Sequence, residues 1–224
     1  MAAFVVMASY TMYHVMMQQY GIGLMMLWLK PDSGYHYWRI SSIIGASLLF
    51  LLVYSREHIP SDIITFIKAI ITVSIVFSWW FTFGLYGKAK EKDSAQGIAF
   101  WYFVGNSCMM TVCYLFFLSG YHAFVIVIPR VIHDITAYII YTVHDHNRNR
   151  DKPNNIIYAP FIAAGIPALL LCAPISIGIG YVLMRYHSQG FITTLVFFLI
   201  FFHYYIEGHV WRKGTPHRRH VGFV

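Results

Sequence analysis

The sequence predicts an all-α integral membrane protein, a polytopic bundle of about seven transmembrane helices, and three observations carry that expectation. Of the 224 residues, 58% are hydrophobic and only 11% charged, whereas soluble domains carry about 25% charged residues. The apolar stretches reach the roughly 20 residues a helix needs to cross a bilayer. The basic residues fall in every second connection, a pattern that a membrane imposes and a soluble fold does not.

In chain order, spans are expected at about 7–29, 40–54, 63–86, 98–119, 123–143, 157–183 and 191–210. With seven crossings, one side receives Lys30, Arg39, Lys88, Lys90, Lys92, Arg148, Arg150, Lys152, Arg212, Lys213, Arg218 and Arg219, while the other receives Arg56 and Arg185. The positive-inside rule then puts the N-terminus outside and the C-terminus in the cytoplasm. An even number of spans would erase the bias. Trp28, Trp38, Trp79, Trp80, Trp101 and Trp211 lie toward the same ends, as an aromatic belt does. The net charge of +7 is therefore read as topology and lipid contact, with no nucleic-acid partner.

The connections are too short for a second domain, so residues 1–224 are expected to form a single integral membrane domain, placed in the bacterial inner membrane. Partner membrane subunits are compatible with this reading. No basic residue precedes Lys30, so the first segment lacks the charged start of a cleaved signal and is expected to remain. Cys108, Cys113 and Cys172 sit in apolar segments without CxxC spacing and are expected to be small buried hydrophobes.

Local features refine the spans. Gln18 and Gln19 are costly in hydrocarbon, so span one is expected to face the interior. Ser119-Gly120-Tyr121-His122 predicts a tight hairpin between spans four and five. In span six, Pro153, Pro160, Pro167 and Pro174 recur every seven residues on one helix face, each removing a backbone hydrogen bond. Both a kinked helix and one wall of a substrate cavity fit that pattern.

The chemistry lies in ionisable residues within the apolar segments. Each costs at least ~2.5–3.5 kcal/mol in hydrocarbon and so points to function. His203 and Glu207, four residues apart, share one helix face. His133-Asp134 and His144-Asp145-His146 repeat the combination, and His14 lies in span one. Imidazole with carboxylate suits iron, manganese or zinc. By depth, His133 matches His203 and Glu207, whereas His14 is expected nearer the outer half of its span. His133 and His144 are eleven residues apart, sharing a face but ~16 Å apart along a regular helix, and His146 faces away from His144. His36, His58, His187, His209, His217 and His220 fall in loops, at an edge or in the basic tail, and all but His209 are expected to be solvated.

Structural readings compete: an Arg130–Asp134 ion pair, a hydrogen-bonded interior His133, and a His203–Glu207 clamp between helices. There is no HExxH or phosphate-binding loop, and span seven has no lysine to bind retinal.

The grouping of histidines and acidic residues near span ends resembles membrane desaturases and alkane hydroxylases, which bind two irons through histidine boxes. The HxxHH boxes of those families are themselves absent from this chain, which has His144-Asp145-His146 and His203-xxx-Glu207-x-His209. In hydropathy and scattered intramembrane histidines the chain is also similar to Brp/Blh-type carotene dioxygenases. These resemblances imply a histidine-bound iron and oxygen chemistry on a lipophilic small molecule.

The leading expectation is a metal-dependent, non-haem iron oxidoreductase or oxygenase. Its metal ligands are drawn from His14, His133, His203, Glu207 and His144, with Asp134 and Glu207 catalytic and Asp134 orienting His133. The alternatives are a haem- or pigment-binding subunit of an electron-transfer complex and a proton-coupled transporter.

Overall fold

Every regular element among the described residues is helical. The computed structural model describes residues 2–26, 30–91, 97–149, 156, 159–166, 168–186, 190–210 and 215–221. Trp28, Lys92, Arg150, Lys152, Pro153, Pro167, His187, Trp211, Arg212 and Lys213 lie outside them, as do the side chains of Lys90, Cys172, Arg218 and Arg219.

The helices are α1 (Ala2–Met26), α2 (Ser33–Ser55), α3 (Ser61–Glu91), α4 (Gly97–Leu118), α5 (His122–Arg148), α6 (Ala159–Ala163), α7 (Ala168–Arg185) and α8 (Gly190–Val210). Short 3₁₀ turns follow at Arg56–His58 and His217–His220. Four of the described helical stretches are long and apolar enough to cross a membrane: Ser33–His58, Ser61–Lys88, Ala99–Leu118 and His122–Arg148. Their outer faces carry large exposed apolar side chains, among them Phe66, Val76, Trp80, Leu115, Phe124 and Val131. Water would penalise such a surface and a bilayer would not.

The chain packs as two compact units, Met1–Ile135 and Thr136–Val224, with the boundary inside α5. In unit 1, α2 packs against α1 and α3, and α4 against α1, α2 and α3. Small residues allow the closest approach: a Cβ on Gly45 of α2 would stand 2.7 Å from Ser74 Cβ of α3. In lipid, association depends on such fits, because apolar burial against another helix gains little over burial in acyl chains. Asp32 caps α2 by accepting the Tyr35 amide at 2.8 Å and also accepts from Lys88 near the end of α3. One carboxylate thus ties the start of α2 to the end of α3.

The interior of unit 1 is stitched by hydroxyls. Trp38 Nε1 donates to Ser78 Oγ at 3.2 Å, Ser78 Oγ lies 2.9 Å from Ser107 Oγ, and Ser107 Oγ lies 2.8 Å from Thr82 Oγ1. Trp38 is therefore a core residue with no exposed surface, not part of an interfacial belt as its position in the sequence suggests. Its ring lies between Tyr20 and Phe103, at centroid distances of 4.3 and 4.9 Å. Trp80 and Trp101 are exposed, as belt residues are. The first helix does turn a face inward: Met12, His14, Val15, Met16, Gln19 and Tyr20 of α1 are all buried. Cys113 is buried and Cys108 half-buried, both as free thiols.

The expected hairpin at 119–122 forms. Gly120 has φ +83°, the Tyr121 amide bonds Phe116 O at 2.8 Å and the Gly120 amide bonds Phe117 O at 3.1 Å. This is the paired 6→1 and 5→2 closure that ends a helix on a left-handed glycine. The same closure alters the expected span six. Gly165 has φ +79°, Ile166 N bonds Phe161 O and Gly165 N bonds Ile162 O, each at 2.9 Å. The anticipated single helix is thus divided into α6 and α7, and the break lies at the glycine. Pro174 sits inside α7 without ending it.

Candidate metal centre

Within unit 1, α1 and the first half of α5 bring two buried imidazoles together. His14 lies near the middle of α1 and His133 near the middle of α5, 9% and 5% exposed. Their ring centroids are 5.1 Å apart at an interplanar angle of 75°, and a ring nitrogen of one lies within 4.8 Å of a ring nitrogen of the other. His14 therefore lies beside His133, whereas the sequence expectation set the two at different levels. Hydropathy located the segment, but the level of each residue depends on how α1 packs against its neighbours.

Around this pair, α5 carries Pro129 one turn before His133, where it withholds an amide from the helix ladder. Pro129 also lines a small apolar pocket with Met12, Met16, Phe50, Met110 and Cys113. Asp134 Oδ1 is 4.0 Å from His133 Nε2 and its side chain is 63% exposed. That is ion-pair range, beyond a hydrogen bond, so the orienting role expected of Asp134 is not realised through a direct bond in this geometry.

Within unit 2, Glu207 of α8 is buried and accepts a hydrogen bond from the Tyr141 hydroxyl of α5. The same carboxylate oxygen, Oε1, lies 3.8 Å from His203 Nε2, so the i,i+4 pair faces one way as its spacing requires. Tyr141 was not singled out in the sequence. Its signal was available: it lies eight residues after His133 and so close to the same helix face.

The far end of α5 organises a second group of histidines in unit 2. Because α5 continues to Arg148, His144 and His146 point apart: His144 is buried and His146 exposed. His144 Nδ1 lies 3.0 Å from Asp145 Oδ1, and His144 Nε2 lies 3.3 Å from His217 Nδ1. The His217 and His220 rings are centred 5.4 and 5.8 Å from that of His144. Asn147 Nδ2 donates to His220 O at 2.8 Å, fastening the turn, and Val221 beside it is buried. Burial lowers the pKa of His217, reinforced by the neighbouring His144, Arg148 and His220 and opposed by Asp145. The sequence reading placed His217 and His220 in a solvated tail; their i,i+3 spacing was the clue to a shared face. His144, about three turns beyond His133, belongs to this group, separate from the His14–His133 pair.

His36 and His58 are exposed, as loop histidines are expected to be. His209 is exposed too, its Nδ1 3.1 Å from Tyr205 O one turn earlier. Comparison with protein-family models, with curated proteins and with solved structures gives no match.

Proposed function

We propose that the chain is an integral membrane metalloprotein of the bacterial inner membrane whose metal, iron, serves oxidation of a lipophilic substrate. The observation that carries the reading is the buried His14–His133 pair, two imidazoles facing one another in the middle of long apolar helices. Ionisable groups at such depth are expensive and mark function by default. Roughly perpendicular rings at this spacing suit two neighbouring ligands of one ion. Two axial imidazoles across a haem would keep their ring centres further apart, with iron and its plane between them, so the geometry favours a bare ion.

His203 and Glu207 are the further ligands in this proposal, taken from the sequence, and Tyr141 holds the Glu207 carboxylate. A Glu ligand bonded by a second residue follows the usual construction of metal sites. The apolar pocket beside Pro129 offers the dry surroundings that oxygen chemistry requires.

The same proposal takes seven crossings with the N-terminus outside. α1, α7 and α8 have 25, 18 and 21 residues, close to the roughly 20 a crossing needs. The Asp32–Lys88 contact supports placing the first two basic clusters at one end of unit 1.

The test is metal analysis of protein purified without a polyhistidine tag. About one iron per chain is expected, lost in a His14→Ala/His133→Ala double variant and in His203→Ala. Iron-free wild-type protein, or iron undiminished in the double variant, overturns the reading.

A further inference from the structure

We propose that His144, His217 and His220 form a second metal site, for a zinc-type divalent ion, which fastens the His217–His220 turn to the end of α5. It is independent of the His14–His133 reading, shares no residue with it and lies wholly within unit 2.

The first argument is metric. His144 Nε2 and His217 Nδ1 are 3.3 Å apart. Zinc binds imidazole nitrogen at about 2.0–2.1 Å in tetrahedral geometry. Two nitrogens on adjacent vertices of that tetrahedron are then separated by roughly 3.3–3.4 Å, the spacing seen here.

The second argument is the tautomer. Asp145 Oδ1 lies 3.0 Å from His144 Nδ1, where a carboxylate accepts; the tautomer with its proton on Nδ1 leaves Nε2, the nitrogen 3.3 Å from His217 Nδ1, to act as ligand. A carboxylate behind a histidine is the arrangement that orients metal-binding imidazoles and raises their basicity.

The third is the local backbone. His217 and His220 occupy a 3₁₀ turn, in which side chains three apart eclipse. Both rings stand beside that of His144, their centroids 5.4 and 5.8 Å away; His144 and His217 already present two nitrogens at ligand spacing, and the proposal requires the His220 side chain to turn on binding to supply a third. Asn147 already pins the His220 carbonyl, so the turn is positioned before any ion arrives. Arg148 opposes a cation here, and Asp145 offsets it. Three nitrogens leave a fourth position for water.

Cobalt(II) reports the geometry, because tetrahedral cobalt absorbs strongly in the visible and octahedral cobalt weakly. Full-length chain without a polyhistidine tag, stripped with chelator, is titrated with cobalt and then displaced with zinc. In the His14→Ala/His133→Ala background, which removes the other centre, one equivalent with the strong band is expected, and it is lost when His217→Ala or His220→Ala is added. Asp145→Asn should weaken cobalt binding about 10–100-fold. His217→Cys should restore binding and add a thiolate-to-cobalt charge-transfer band, which guards against loss through misfolding. A strong band that survives His217→Ala in that background overturns the proposal, as does its absence in wild type or a His217→Cys protein without charge transfer. The 3.3 Å contact would then be a hydrogen bond between two neutral imidazoles. Loss of the strong band in the His14/His133 variant alone would assign the cobalt to the other centre, again overturning this one.

Discussion

In unit 1 the buried polar side chains are mostly hydroxyls and amides, such as Ser78, Thr82, Asn106 and Ser107, with one histidine pair among them. In unit 2 the described buried polar set includes Glu207 and His144, each held by a named neighbour. Unit 1 surrounds its polar groups with a core of closely fitted apolar residues, including Met16, Tyr20, Trp38, Leu52, Ile71 and Phe103. The difference teaches that the two regions respond to different perturbations. Unit 1 depends on shape and neutral hydrogen bonds, and unit 2 on charge state and donors to charge.

The largest expected effect breaks unit 1 by shape. Trp38→Ala empties the space between Tyr20 and Phe103 and removes the donor to Ser78. Thermal unfolding in detergent should show a loss of about 3–5 kcal/mol. A loss below 1 kcal/mol would mean that the hydroxyl-stitched core is not what holds this unit.

A smaller effect sharpens the unit 2 side. Tyr141→Phe takes a donor from the buried Glu207 carboxylate and should cost about 1–3 kcal/mol. Glu207→Gln keeps an acceptor for Tyr141 while removing the charge, and should cost less. If the order is reversed, charge at Glu207 stabilises the fold by itself, and the Tyr141 bond is incidental.

The smallest effect concerns pH. The Lys88 ammonium and then the Tyr35 amide hold the Asp32 carboxyl below the usual carboxylate range. With the folded pKa lowered, the ionised contact stabilises unit 1 above the ordinary carboxylate pKa, and that stability is lost as pH falls through the lowered value. Both side chains are substantially exposed, so the contribution is at most about 1 kcal/mol. Asp32→Asn should retain a cap for Tyr35 and flatten the acid limb of the stability profile. An unchanged limb would assign the acid sensitivity elsewhere.

Much of the architecture was legible. The helical class, four of the expected membrane-length segments, the hairpin at Gly120 and the inward face of α1 all follow from apolar length, glycine chemistry and the cost of Gln18 and Gln19 in hydrocarbon. The shared direction of His203 and Glu207 was legible too, because four residues make one helical turn. The heptad prolines drew attention to the sixth segment; among the described residues α6 closes on the left-handed Gly165, and Pro174 sits inside α7 without ending it. Spacing hinted at the faces on which Tyr141, His217 and His220 lie, but their partners Glu207 and His144 were hidden, because contacts 66 and 73 residues apart leave no periodic trace.

The sequence by itself determined which segments avoid water, the turn at Gly120 and which residues share a helix face, since these depend on composition and on periods of a few residues. The tertiary structure alone decided that Trp38 is core, that His14 meets His133 and that His144 faces the tail. A protein-facing surface and a lipid-facing one are equally apolar, so hydropathy cannot say which side of a membrane helix turns inward. That choice is made by packing, through small residues such as Gly45 and through hydrogen bonds such as Trp38 to Ser78.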